Sequence, residues 1–457
     1  MDITARDLQH IWHPCSQMKD YETFPPLHVK RAEGVYIELD NNHRIIDAIS
    51  SWWCKPLGHA HPRLKAALFK QAGHFEHVLL ANTTNDVIVE LSEKLANLVP
   101  SLSKVFYASD GSSAVEIAIK MSLHARRLMN QKNKKRFLSL QNGYHGETIM
   151  TLAVSDMGIY KKPYETLCVK THLVENLPYV NGRTDPLWFD AKDAFNACIK
   201  KLTPIADTLS ALIVEPIVQG SSGMLIYSQD FLRRLHAWCN QHDIHFIADE
   251  IMTGFGRTGK MLACEHASIE PDFLCLSKGL TAGWLPMSAV LTSNKIYDLF
   301  YDDYSTGKAF MHSHTHTGNA LCAAVALEAL SIYQEEDIAK KALLLETSMR
   351  AHFEAIGKIT GAMTNIRAIG GIVACDLLPV KNQPRFSYAV YQEAIKRGAL
   401  LRPLGNTLYW FPPLTITKNE LARLADITEA CIVKALYSAE NKGIISHNLS
   451  DALSKLS

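Results

Sequence analysis

The run Phe273-Leu-Cys-Leu-Ser-Lys278-Gly279 places a lysine directly after a continuous apolar stretch. Most lone lysines are solvated surface groups, but one that follows a buried strand can sit in a sheltered crevice, where desolvation lowers its pKa and leaves a nucleophilic amine. Ile244-His-Phe-Ile-Ala-Asp249-Glu250 puts an acid at the carboxyl end of another such run, the end at which open α/β sheets bind ligands. An acid there either caps the next helix or holds the protonated ring nitrogen of a pyridine cofactor, which needs that partner to accept electrons. A third run ends in Asp110-Gly111-Ser112-Ser113 and leads into an amphipathic segment. Free amides of a first helical turn bind anions, so a phosphate is the expected guest there, with plain helix capping as the alternative. Amine, acid and phosphate turn on one sheet outweigh the three bland readings taken singly.

Two other motifs invite different chemistry. Gly254-Phe-Gly256-Arg-Thr-Gly259 has the spacing of a dinucleotide fingerprint, which would make the chain a nicotinamide oxidoreductase. It lies several residues beyond a strand end, and no amphipathic helix opens within it, so its context fails. His312, His314 and His316 alternate as along one face of a strand, yet no carboxylate or cysteine stands at ligand spacing, and no metal is expected. The hydroxyls of Thr315 and Thr317 beside Gly318 equally suit a phosphate.

The elements that must carry these residues follow from periodicity. Near-continuous apolar runs begin at Lys104, Arg136, Ala211, Ile244, Phe273 and Met287, separated by helical patterns such as Ser113 to Leu128, whose apolar residues recur every three or four positions. Such runs are buried strands of a mostly parallel sheet, the core of an α/β domain over residues 56–330. Residues 1–55 read as a small antiparallel element joined to a smaller α+β domain over 331–457. The polar stretch from about Asn441 receives no function.

Composition narrows the classes. The 457 residues exceed what one core supports, and 47 basic against 46 acidic side chains give a net charge of +1, so neither nucleic acid nor an anionic membrane is an expected partner. No run approaches a membrane span, and the first residues form neither a signal nor a transit peptide. Ten cysteines without a C-x-x-C pair read as reduced thiols of a cytoplasmic protein.

With Asn142-Gly-Tyr-His-Gly, Ile213-Val-Glu-Pro-Ile, Ser277-Lys-Gly-Leu and Thr315-His-Thr-Gly-Asn beside the motifs above, the chain resembles the class III aminotransferases, of the fold type I pyridoxal-phosphate enzymes, over nearly its whole length. Ile11-Trp-His-Pro, Ser50-Ser-Trp-Trp and Leu401-Arg-Pro point to the branch serving biotin biosynthesis, which moves an amino group from adenosylmethionine to 8-amino-7-oxononanoate. The resemblance implies pyridoxal 5'-phosphate as cofactor, with Lys278 as the Schiff-base lysine and proton shuttle and Asp249 against the pyridinium. It implies phosphate contacts from Gly111 and Ser112, and from Thr315 of the second subunit of a homodimer, with His314 beside it. Tyr144 is expected against the ring, and Trp52, Arg402, Arg257, Ser313 and Cys15 around the substrate. Met252, where many ω-aminotransferases carry Gln, suits the biotin branch. Cys15 stands where that branch often has an aromatic residue, which leaves the donor open to lysine, a diamine or an ω-amino acid.

Overall fold

A computed structural model describes residues 2–380 and 383–440, so the polar stretch from Asn441 lies outside the described residues. Its centre is a seven-stranded sheet in the spatial order Lys104–Ala108, Ser288–Thr292, Phe273–Leu276, His245–Asp249, Leu209–Val214, Arg136–Leu140, His172–Val174. Every residue of the strands Leu209–Val214, His245–Asp249, Phe273–Leu276 and Ser288–Thr292 is buried. Strands covered on both faces must be apolar throughout, which is why these runs show no alternation. Ser288–Thr292 alone runs against its two neighbours, while the remaining pairings are parallel.

Helix Gly111–Leu128 follows the edge strand Lys104–Ala108. Asp110 caps it by accepting from Ser113 N, and Arg126 and Arg127 close its last turn, where cations oppose the helix dipole. Ala114, Ile117, Ala118 and Met121 are buried on it and share a core with Val290 and Phe273. The helix therefore presents its N-terminus at the carboxyl ends of the parallel strands.

A second core joins the two ends of the chain. Strands Met363–Ile369, Ile372–Leu377 and Thr407–Trp410 form an antiparallel sheet, and Val35 and Ile46 share a core with Met349, Phe353, Trp410 and Leu436. The N-terminal strands Val29–Glu33, Tyr36–Leu39 and Arg44–Asp47 pair antiparallel, and Ala399–Leu400 adds to Arg44–Asp47 in parallel. Residues 312–316, read as a possible strand from alternating histidines, form none and join no sheet. Among the described residues no helix is long and apolar enough to cross a membrane.

Candidate active site

The strand ends converge on a cavity of about 190 Å³ whose wall includes Gly111, Ser112, Tyr144, Asp249 and Lys278. Lys278 begins a short turn after its strand with φ +36°, a left-handed backbone that side-chain residues adopt at a cost of about 1–3 kcal/mol and that clusters at functional sites. Its Nζ stands 4.7 Å from the centre of the Trp53 ring. Burial lowers its pKa, opposed by the charges of Asp249 and Glu215.

Asp249 is 4% exposed, and its two oxygens are separately held: Oδ2 lies 2.8 Å from His145 Nδ1, and Oδ1 accepts from Ile251 N at 3.2 Å. His145 is fixed in turn by its own amide, which donates to Ser155 Oγ at 2.9 Å. Across the cavity, the Asp110 side chain takes Ser113 N at 2.9 Å and its carbonyl takes Ala114 N at 3.1 Å, so the earlier amides of Gly111 and Ser112 face the wall ahead of the cap. Gly146, at φ +122°, closes this corner: a Cβ there would fall 2.2 Å from Ser112 Oγ. The cradle tolerates no side chain at that point.

Several residues of the cavity carried no role in the sequence reading, His145, Glu215 and Trp53 among them. His145 and Glu215 lie inside motifs already noticed, and Trp53 is the neighbour of Trp52. Glu215 accepts from Tyr144 N and Gly220 N, both at 2.9 Å, and burial pushes its carboxyl up to about 7. Trp53 donates from its indole to Tyr409 Oη at 3.0 Å.

The Trp52–Trp53 turn is held from behind. Ser50, Ser51 and Trp53 all have positive φ, at 51°, 60° and 64°. The fully buried carboxylate of Asp47 spans them: Oδ2 accepts from Ser51 N at 2.6 Å and lies 2.9 Å from His59 Nε2, and Oδ1 accepts from Ile49 N at 3.3 Å. Ser50 Oγ donates to Phe411 O at 2.7 Å, tying the turn to the end of the Thr407–Trp410 strand.

The remaining residues singled out from the sequence fall into three places. Arg402 and Cys15 line a neighbouring cavity of about 700 Å³ and meet Trp52: the guanidinium lies 4.7 Å over the Trp52 ring and donates to Cys15 O at 2.8 Å. Cys15 Sγ is 4.0 Å from Glu147 Oε1, which accepts the Tyr144 hydroxyl at 2.9 Å, so this group touches the inner wall. Arg257 stands outside that wall, donating to Gly371 O and Pro412 O and lying 3.8 Å over Phe411, with burial pulling it down to about 9. Ser313, His314 and Thr315 line a separate surface cavity of about 870 Å³, with Ser313 and Thr315 exposed. His314 Nδ1 is 3.2 Å from Ser109 Oγ.

The glycine motif serves packing. The glycines at 256 and 259 let the loop approach helix Ile338–Thr360, since Cβ atoms there would meet Ile338 Cγ2 at 2.5 Å and Leu343 Cδ2 at 2.3 Å. Among the described residues no group of three His, Cys, Asp or Glu could hold a metal ion.

A family model described as aminotransferase class-III matches residues 17–432. The adenosylmethionine-8-amino-7-oxononanoate aminotransferase of Helicobacter pylori is 41% identical over 428 residues, 92% of this chain and 95% of that one. The crystal structure of the enzyme of that name from Methanocaldococcus jannaschii superposes with a TM-score of 0.87 at 31% identity, over 94% of this chain and 98% of the other. An amine transaminase from an uncultivated Pseudomonas species, solved in its PLP-bound form, gives 0.86 at 30% identity over 93% and 99%.

Proposed function

The chain belongs to the class III aminotransferases, which use pyridoxal 5'-phosphate, and on that footing we propose that it transfers the amino group of adenosylmethionine to 8-amino-7-oxononanoate. What supports the substrate reading most is the meeting of Arg402, Trp52 and Cys15, which Glu147 links to Tyr144 in the wall of the Lys278 cavity. A guanidinium over an aromatic ring offers a carboxylate clamp with an apolar floor.

The cavity's donor set suits a phosphorylated pyridine aldehyde: amides at a helix N-terminus, a buried carboxylate, a lysine amine and a phenol. Bound there, pyridoxal 5'-phosphate supplies an electron sink for the carbon that bears the exchanging nitrogen. Gly111 and Ser112 bind the phosphate through the amides ahead of the Asp110 cap. Asp249 keeps the ring nitrogen protonated by a charge-assisted bond of about 1.5–3 kcal/mol, with His145 and Ile251 N holding the carboxylate in place. Lys278 would hold the cofactor through Nζ and, as a free amine, would move a proton at the substrate carbon. Tyr144 covers the ring, its hydroxyl held by Glu147. Arg402 binds the substrate carboxylate, with Arg257 and Ser313 as further contacts.

We further propose a homodimer in the cytoplasm. The exposed Ser313–Thr315 segment is a phosphate contact offered to a second subunit, lying on a surface that also exposes Leu79 (58%) and Met311 (86%). The ten cysteines are all free. Residues 1–55 and 331–457 would form one lobe and 56–330 the other. The test is incubation of the holoenzyme with 8-amino-7-oxononanoate and, separately, adenosylmethionine, lysine, a diamine and an ω-amino acid. Formation of 7,8-diaminononanoate from adenosylmethionine, seen by mass, is the expected result. Product from lysine alone would replace the donor, and no product from any donor would overturn the substrate.

A further inference from the structure

Glu215 is a buried carboxylate for which the mechanism above has no use. It follows the fully buried strand Leu209–Val214 and precedes Pro216, so a rigid backbone aims it into the Lys278 cavity, where it is 6% exposed. Its two oxygens each accept one amide, from Tyr144 and Gly220, which leaves acceptor capacity on both. Amides do not neutralise a charge, and an unpaired buried carboxylate is costly.

The charges facing it are His145, Asp249 and Lys278. His145 is already paired with Asp249 at 2.8 Å. Lys278 is committed to the cofactor in the loaded enzyme. Glu215 therefore has no cation of its own there, and its ionised form is favoured when one arrives with the substrate. We propose that Glu215 binds an ammonium group on the carbon adjacent to the one that exchanges nitrogen, and so selects vicinal amino ketones over plain ketones. This rests on the proposed acceptor, 8-amino-7-oxononanoate, which carries its ammonium beside the ketone. Burial holds the empty site's carboxyl at about 7, so near neutral pH it is ready to ionise fully when the cation enters.

The test compares kcat/KM of the holoenzyme for 8-amino-7-oxononanoate and for 7-oxononanoate, which lacks only the amine. Wild type should prefer the amino ketone by at least about 100-fold, because a site built to pair a polar group rejects the analogue without it. Glu215→Gln should bring the two within about fivefold, mainly by weakening the amino ketone. Glu215→Asp, which keeps the charge at a shorter reach, should retain part of the preference and serves if the Gln variant fails to fold. Calorimetry on borohydride-reduced holoenzyme, where no turnover occurs, should show the same order in Kd. Equal use of both ketones by wild type would overturn the proposal alone. So would an equal loss on both in Glu215→Gln, which would mark a mere support for Tyr144 and Gly220. If wild type uses neither ketone, the acceptor falls and this proposal with it.

Discussion

Replacing Asp47 by Asn should loosen the Trp52–Trp53 turn without disturbing the large sheet. The substitution keeps the side chain's shape and removes its charge. An amide has one acceptor oxygen, and the cheaper orientation keeps it toward Ser51 N and His59, giving up the 3.3 Å bond from Ile49 N. The bonds from Ser51 N, Ser51 Oγ and His59 that remain fall from about 1.5–3 to about 0.5–1.5 kcal/mol each, and with the Ile49 bond lost the turn is weakened by at least about 3 kcal/mol. The positive φ angles of Ser50, Ser51 and Trp53 favour opening as well. An energy of that size makes the open turn about 100-fold more populated. Hydrogen exchange followed by mass spectrometry reads this directly: the peptide spanning residues 48–56 should exchange about 100-fold faster, while one spanning 209–214 is unchanged. KM for both substrates should rise more than kcat falls, because Trp53 and Trp52 wall the site and do not exchange protons. Unchanged protection of 48–56 would refute the clamp, and equal acceleration across the chain would mark a global defect.

Lys278→Ala should keep pyridoxal phosphate bound through its phosphate but leave none fixed by borohydride, with transamination lost; near-normal turnover would remove the central assignment. Cys15→Tyr should lower the adenosylmethionine KM by up to about tenfold, the factor of roughly 1.4 kcal/mol that an added aromatic contact gives, with less effect on the ketone. Because burial lowers the Lys278 amine, reloading of apoenzyme, followed by absorbance, should rise with pH and level off at a lower pH than for a free lysine amine; a plateau at the free value would contradict the burial. If Thr315 completes a neighbour's site, dimer and cofactor stabilise each other by linkage, so dilution should release both together, and a fully active monomer in sedimentation would refute that.

The residues that could be read in advance are those at the ends of regular elements. Lys278 and Asp249 stand at the ends of fully buried runs, Gly111 follows a half-buried one, and the sheet then brings them together. The direction of Ser288–Thr292 could not be read, since a fully buried strand looks the same whichever way it runs. His145 was hidden for a different reason: its meaning is its bond to Asp249, a residue far along the chain. Trp53 was hidden by backbone geometry. With positive φ at three of four positions from Ser50 to Trp53, neither helical nor strand periodicity applies, so counting residues does not say which tryptophan turns inward. Arg257 is half committed: its Nη1 donates to the Gly371 and Pro412 carbonyls, while its buried Nη2 has no partner among the described residues.

The pairing of Arg44–Asp47 with Ala399–Leu400 sets an order on biosynthesis. The strand that carries Asp47 leaves the ribosome early, but its parallel partner emerges only near the end of translation, tens of seconds later at about 5–20 residues per second. Until then the large sheet can close and the phosphate turn can meet Lys278, while Trp52 and Trp53 still lack Phe411 and Tyr409 to anchor them. The nascent chain thus acquires a place for its cofactor before it acquires a place for its substrate. A truncated product, ending short of residue 399, would hold the first without the second.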